Sequence, residues 1–167
     1  MLLLDTNVVS ELRKVASGRA DPNVVVWNET VDPEETFISS VVLHELEIGV
    51  RLVEHNDAAA GKVLRNWLEN AVLTAFSGRI LPLDEAAARQ AAKWHVPHPK
   101  PINDAYIAAT AFTRRMTLVT RNVKDFETLG IALKNPWLLH PPDVSVGVGS
   151  RRQGSQSGSD PGLALRP

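Results

Sequence analysis

Carboxylate and carboxamide side chains stand at the borders of apolar segments of this chain, at Asp5, Glu45, Asp104, Asn122 and Asp125. Asp5 directly follows a short apolar run that is typical of a strand buried on both faces. It would then lie at the carboxyl edge of a parallel sheet, where ligands bind in open α/β folds. Carboxylates brought together repel one another unless a cation neutralises them. Because oxygen ligands suit Mg²⁺ and Mn²⁺, we expect the fold to gather these side chains around Asp5 to hold a divalent metal.

Each of these residues also has a purely structural explanation. Asp5 could be a plain helix N-cap, and Glu45 could be a solvated helix residue. Asp104 and Asp125 could complement the dipole at a helix start. The combination favours the metal site, since Asp5 follows the first predicted strand, Glu45 follows the second closely and Asn122 follows the fourth.

The elements that must position these residues are short strands alternating with helices. Strands are predicted at 2–4, 36–39, 79–83, 117–120 and 131–133. Helices are predicted at about 6–15, 22–31, 41–53, 58–76 and 85–94, then from a cap at Asn103, and finally in a short segment ending at Leu129. Pro82 suggests an end or edge position for the third strand. This alternation favours parallel pairing through right-handed crossovers. The predicted fold is α/β, a three-layer α/β/α sandwich with a central, mostly parallel sheet of about five strands.

The bulk composition is that of one folded domain and excludes several classes of function. Eighteen basic residues against nineteen acidic ones give a formal net charge of -1, so the chain as a whole is not a basic nucleic-acid binder. A bound metal and a local Arg cluster could still supply a positive field. The absence of cysteine excludes disulfides and thiolate metal sites. No apolar run approaches ~18 residues and no signal segment is recognisable, so we expect a cytoplasmic protein.

The composition changes near the C-terminus. From Pro141 onward the chain holds five of its ten glycines and four of its eleven prolines, and no aromatic residue. We therefore predict a folded domain at 1–140 and a disordered tail at 141–167.

Blocks of sequence around the candidate site residues match a known family. They lie at 3–12, 39–49, 102–111, 118–126 and 135–137, and the second contains Glu45. In these blocks the chain resembles the PIN-domain ribonucleases, specifically the VapC-like toxins of bacterial toxin–antitoxin pairs. The resemblance implies a PIN-like fold and a Mg²⁺- or Mn²⁺-dependent endoribonuclease. The reaction it implies is in-line attack of metal-activated water on an RNA phosphodiester, with no nucleophilic side chain.

The resemblance also assigns roles to the acidic residues. Asp5, Glu45 and Asp104 would form the acidic core, with Asp5 and Asp104 as direct metal ligands. Glu45 would hold a metal-bound water or act as the base. The fourth position is open between Asn122, which offers an oxygen ligand without charge, and Asp125.

Three further residues are candidates for contact with the substrate. Thr6 and Thr120 could hydrogen-bond a ligand water or a phosphate, although an ordinary cap or strand-end role explains each hydroxyl equally well. Arg121 is a candidate for phosphate contact, with a solvated charge as the simpler alternative.

The resemblance implies partners as well. An antitoxin would pair with the chain and cover the acidic groove, the chain would form a homodimer, and DNA would be bound only through the antitoxin. One alternative function is therefore a PIN-like partner-binding protein that acts mainly in a DNA-binding repressor complex. Another is a haloacid-dehalogenase-type phosphatase with Asp5 as nucleophile, but these enzymes usually carry a second Asp two residues later, where this chain has Asn7.

Overall fold

The computed structural model describes residues 1–138, so the predicted tail at 141–167 lies outside the described residues. The strands are β1 (Leu2–Leu4), β2 (Thr36–Ser39), β3 (Ile80–Leu81), β4 (Thr117–Val119) and β5 (Leu133–Lys134). The helices are α1 (Thr6–Leu12), α2 (Pro22–Glu29), α3 (Ser40–Asn56), α4 (Ala58–Trp67), α5 (Leu73–Ala75), α6 (Glu85–His95), α7 (Ile102–Thr113) and α8 (Val123–Phe126). Within these described residues, no helix is long and apolar enough to cross a membrane.

The five strands form one sheet in the order β3-β2-β1-β4-β5. All of its pairings are parallel. β3, which precedes Pro82, is an edge strand, as the proline suggests. The predicted α/β fold with a parallel central sheet is confirmed.

The strand order reverses direction once. From β1 the chain moves outward to β2 and β3, and then returns past β1 to β4 and β5. Because crossovers between parallel strands are right-handed, helices before and after β3 cover opposite faces of the sheet, which gives three layers. The reversal places a crevice between the carboxyl ends of β1 and β4, the position where open α/β sheets bind ligands.

Side-chain caps set where several helices begin. Asp5 accepts a hydrogen bond from the backbone N–H of Thr6 at the start of α1. Ser39 accepts one from Val42 at the start of α3. Since Asp5 directly follows β1 and Ser39 is the last residue of β2, α1 and α3 both begin at the carboxyl edge of the sheet.

Small residues let α7 lie close to its neighbours. Ala108 and Ala111 are fully buried in the main core with the sheet residues. Ala105 and Ala109 face the other way and pack with two alanines of α6, Ala87 and Ala91. α7 is therefore held between the sheet and α6, and its N-terminal turn carries Asp104.

Several predicted elements differ from the structure in their bounds. The helix predicted at 6–15 ends at Leu12, and the strand predicted at 79–83 is only Ile80–Leu81. The helix predicted at 58–76 is interrupted by a π-helical segment, Leu68–Val72, because side-chain periodicity does not report a local change in backbone hydrogen bonding. The last strand is Leu133–Lys134 rather than 131–133. Its position follows from pairing with β4, where Leu133 lies opposite Leu118.

Candidate active site

Asp5 is held in one orientation at the crevice between β1 and β4. Its Oδ1 accepts a hydrogen bond from the backbone N–H of Thr6 at 2.7 Å. Its Oδ2 accepts from the Thr120 hydroxyl at 2.6 Å and from the Asn7 Nδ2 at 2.6 Å. The side chain is only 7% exposed. A carboxylate with three donors and so little exposure is fixed before any ligand arrives.

Thr120 ties the loop after β4 to the loop after β1. Besides donating to Asp5, its hydroxyl oxygen accepts hydrogen bonds from the backbone N–H of Asn122 at 3.0 Å and from Asn7 Nδ2 at 3.1 Å. The Asn7 Oδ1 in turn accepts from the backbone N–H of Arg121 at 3.2 Å. The adjacency of β1 and β4 in the sheet makes these contacts possible.

Glu45 lies near the start of α3 and is held through both carboxylate oxygens. Its Oε2 accepts a hydrogen bond from the Thr6 hydroxyl. Its Oε1 accepts from Asn103 Nδ2 at 2.9 Å. Helices α1, α3 and α7 thus meet at this carboxylate.

Asp104 lies in the first turn of α7, in the electrostatic field of the other acids. Burial, together with the negative charges of Asp5, Glu45 and Asp125, raises its pKa to about 6. The pKa of Asp5 is also raised, chiefly by burial and further by Glu45, against the lowering effect of its hydrogen bonds. The four acids therefore share one electrostatic environment, and their negative charges disfavour ionisation of Asp104.

The chemistry of this donor set fits a hard divalent cation. In residues 1–138, no group of three or more His, Cys, Asp or Glu is close enough to hold a metal ion directly. Mg²⁺ usually takes one or two carboxylates and keeps several waters, so a closed cage of protein ligands is not required. A cation at this edge would relieve the repulsion that raises the pKa of Asp104.

The fourth site position stays open between Asn122 and Asp125. Both side chains are exposed after β4. The charge of Asp125 reaches Asp104. Asn122 is the N-cap residue of α8, but its side chain makes no capping hydrogen bond.

Two asparagines of the site were not among the predicted site residues. Asn7 contacts Asp5, Thr120 and the backbone of Arg121. Asn103 was predicted to cap α7, which is wrong: the cap position is Pro101, and Asn103 lies inside the helix and donates to Glu45. The sequence offered two signals for them: their positions, two residues after Asp5 and one before Asp104, and their place within the blocks 3–12 and 102–111 that carry the family resemblance.

The hydroxyl groups of the two predicted threonines, Thr6 and Thr120, both donate hydrogen bonds to carboxylates of the site. Thr6 donates to Glu45 and Thr120 donates to Asp5. Each hydroxyl therefore orients an acid of the cluster, and direct contact of Thr6 or Thr120 with substrate stays a prediction.

The PIN-domain family model matches residues 2–131. This chain belongs to the PIN-domain family. Toxin FitB of Neisseria gonorrhoeae is 38% identical to this PIN-domain chain over 144 residues, which cover 82% of this chain and 99% of FitB. VapC ribonuclease Y4jK of Sinorhizobium fredii is 37% identical over 145 residues, covering 82% of this chain and 98% of that protein.

A solved structure of FitAB bound to an IR36 DNA fragment has the same fold. It matches with a TM-score of 0.73 at 34% identity, covering 85% of this chain and 99% of that chain. The likeness therefore spans the sheet, the helices around it and the acidic edge, and not one motif alone.

Proposed function

We propose that this PIN-domain protein is a divalent-metal-dependent endoribonuclease and the toxin of a toxin–antitoxin pair. The observation that carries the proposal is that three further acids, Asp5, Glu45 and Asp125, lie within electrostatic reach of Asp104 at the β1–β4 crevice. The similarity to proteins named as a VapC ribonuclease and as a toxin supports it.

In this proposal Asp5 and Asp104 bind Mg²⁺ or Mn²⁺, with Glu45 and Asn122 completing the site directly or through water. When bound, the cation would lower the pKa of a water and stabilise negative charge on the phosphoryl oxygens. The protein itself contributes by holding the carboxylates in fixed orientations. Asp5 is oriented by three hydrogen bonds, and Glu45 is oriented by Thr6 and Asn103.

Glu45 and Asp125 are the candidates for accepting a proton from the attacking water. Both contribute to the field that raises the pKa of Asp104 to about 6, and so both lie near the acidic core. Asp125 is exposed, and Glu45 has both oxygens already engaged by donors. In this proposal the exposed Arg121 and the half-buried Thr6 line the approach of the RNA, while the fully buried Thr120 acts through its hydrogen bond to Asp5.

Cleavage of total cellular RNA tests the proposal. The purified protein should cleave RNA with Mg²⁺ or Mn²⁺ and lose this activity with EDTA. Asp5→Asn and Asp104→Asn should each lower the rate by a factor of about 100 or more, on the scale of a lost metal ligand or its support. Glu85→Gln is the matched control, since Glu85 is an exposed acid paired with Arg89.

Circular dichroism should show that all three variants keep the fold. Full cleavage by both site variants, or cleavage that persists in EDTA, would refute the metal-dependent mechanism.

A second candidate function is a partner-binding role in a DNA-binding repressor complex, favoured by the solved FitAB–DNA complex. In this proposal a cognate antitoxin covers the acidic crevice and contributes the DNA contacts, while the chain forms a homodimer in the cytoplasm. Size-exclusion chromatography and a DNA mobility shift with the antitoxin test it. If Asp5→Asn abolishes cleavage but leaves DNA binding of the complex unchanged, both roles coexist. DNA binding without any RNA cleavage by the wild type would favour the repressor role alone.

A further inference from the structure

Arg121 lies at the rim of the acidic crevice, and no acidic side chain of residues 1–138 pairs with its guanidinium. It directly follows Thr120, and its backbone N–H donates to Asn7. The side chain is exposed, and within residues 1–138 it forms no salt bridge. An acidic crevice repels the phosphates of RNA, so a cation beside it is needed to draw the strand in.

Trp137 lies under this guanidinium. The Arg121 Cζ is 5.5 Å from the centroid of the Trp137 ring, which is the range of a cation–π contact. The planar guanidinium can stack on the ring and still present N–H groups outward to a phosphate. The contact therefore limits the directions in which Arg121 can point.

Hydrogen bonds hold Trp137 in place. Its backbone N–H donates to Asn135 Oδ1 at 2.9 Å, and its carbonyl accepts from Asn23 Nδ2 at 2.8 Å. The Asn135 amide donates to the carbonyl of Arg121 at 3.2 Å. The segment after β5 is thus bonded both to α2 and to the loop that carries Arg121.

Glu11, an acid near Arg121, does not form a salt bridge with it. Burial raises the pKa of Glu11, but hydrogen bonds from Lys14 and the Asp21 backbone lower it below its ordinary value, and the charge of Arg121 is close enough to add to that lowering. The carboxylate itself is bonded to Lys14 at 2.7 Å and to the backbone N–H of Asp21 at 2.8 Å. Arg121 therefore keeps its donors for a ligand.

We propose that Trp137 is a positioning residue, which holds the Arg121 guanidinium at the rim of the crevice so that it binds a phosphate of single-stranded RNA next to the cleaved bond. This role rests on the proposed ribonuclease function. Asn135 and Asn23 support this role indirectly, because their hydrogen bonds hold the backbone of Trp137 in place.

A double-mutant cycle tests the role. Trp137→Leu, Arg121→Lys and the double variant are compared in an Asp104→Asn background, with fluorescence anisotropy of a short, fluorescein-labelled, mixed-sequence single-stranded RNA. Lys keeps the charge but cannot stack as a planar group. We expect Trp137→Leu to weaken RNA binding about 3- to 10-fold with Arg121 present, and to have little further effect with Lys at that position.

The control variants separate positioning from folding. Trp137→Phe keeps an aromatic face and should bind RNA nearly as well as the parent. Trp94→Leu removes another half-buried tryptophan, which packs against Phe112 at a ring distance of 5.4 Å, and should leave RNA affinity unchanged. In the cleavage-competent protein, Trp137→Leu should raise KM and leave kcat nearly unchanged, because uniform substrate binding is lost.

Equal loss of affinity from Trp137→Leu in the Arg121 and Lys backgrounds would overturn the positioning role, since it would indicate a structural effect. Unchanged affinity and KM would overturn it as well, and metal-dependent cleavage by the wild type would still support the proposed function. A wild type that neither binds nor cleaves RNA would overturn both.

Discussion

Replacing Asp104 with Asn should stabilise the metal-free fold while it inactivates the proposed nuclease. The carboxyl of Asp104 has its pKa raised from an ordinary value of 3.8 to about 6, by burial and by the charges of Asp5, Glu45 and Asp125. Ionisation is therefore easier in the unfolded chain than in the folded one. The amide of Asn has nearly the same shape and no charge, so it removes this penalty.

The sign and size follow from proton linkage. Between pH 3.8 and about 6 the folded state holds the proton that the unfolded state has released. Stability therefore falls as pH rises through this window. The full shift corresponds to about 3 kcal/mol at pH 8, about 1.6 kcal/mol at pH 5, and nothing well below pH 4. Because Asp104 is only half-buried, solvent screens these charges, and we expect a gain of about 1 to 2 kcal/mol at pH 8.

Urea denaturation followed by circular dichroism measures this gain. The free energy of unfolding is compared for the wild type, Asp104→Asn and Glu85→Gln at pH 5 and pH 8, with EDTA present. The gain for Asp104→Asn should be larger at pH 8 than at pH 5, and Glu85→Gln should change little at either. Added Mg²⁺ should stabilise the wild type by mass action and the Asn variant less.

Two results would contradict this reasoning. If Asp104→Asn is no more stable than the wild type at pH 8, neither burial nor the neighbouring charges disfavour ionisation of Asp104 in the folded protein. If its gain is the same at both pH values, the stabilisation does not come from ionisation of Asp104.

Two further predictions concern packing and the orientation of Asp5. Gly61→Ala should destabilise the protein by about 1 to 3 kcal/mol, because its Cβ would lie 2.5 Å from Glu54 Cα and force α4 away from α3. Gly49→Ala, a helical control with no atom within 4 Å of the new Cβ, should stabilise it by about 0.5 to 1 kcal/mol. Urea denaturation of both variants measures the two changes, and equal effects would contradict the packing argument. Thr120→Val removes a donor to Asp5 and should raise the pKa of Asp5 further, so the acid limb of the pH–rate profile for RNA cleavage should move to higher pH and Thr120→Ser should restore it. An unchanged profile would refute that role of Thr120.

Local pattern was sufficient for the order and type of the elements. The first strand is an unbroken leucine run directly followed by Asp5, and the second ends on Ser39, which caps α3. The parallel sheet follows from helical crossovers between short strands. Pro82 correctly indicated an edge strand. These features depend on neighbours in sequence, and local chemistry determines them.

The contacts that make a site of these residues depended on the tertiary structure. Thr120 meets Asp5 because β4 pairs with β1, across a separation of 115 positions in the chain. Asn103 meets Glu45 because α7 and α3 both begin at the carboxyl edge, and no pattern around Asn103 indicates that partner.

At the rim of the crevice, too, the sequence indicates a single residue and the tertiary structure decides its contacts. The sequence alone identified Arg121 as a candidate for phosphate contact, and Trp137 was not among the predicted site residues. Only the folded chain brings the two together, because the order of β4 and β5 in the sheet sets the loops that follow them side by side. Sequence determined which side chains this protein has at the ends of its strands; the order of the strands decided which of them meet, since hydrogen bonds and charge interactions act over a few ångströms of space and not along the chain.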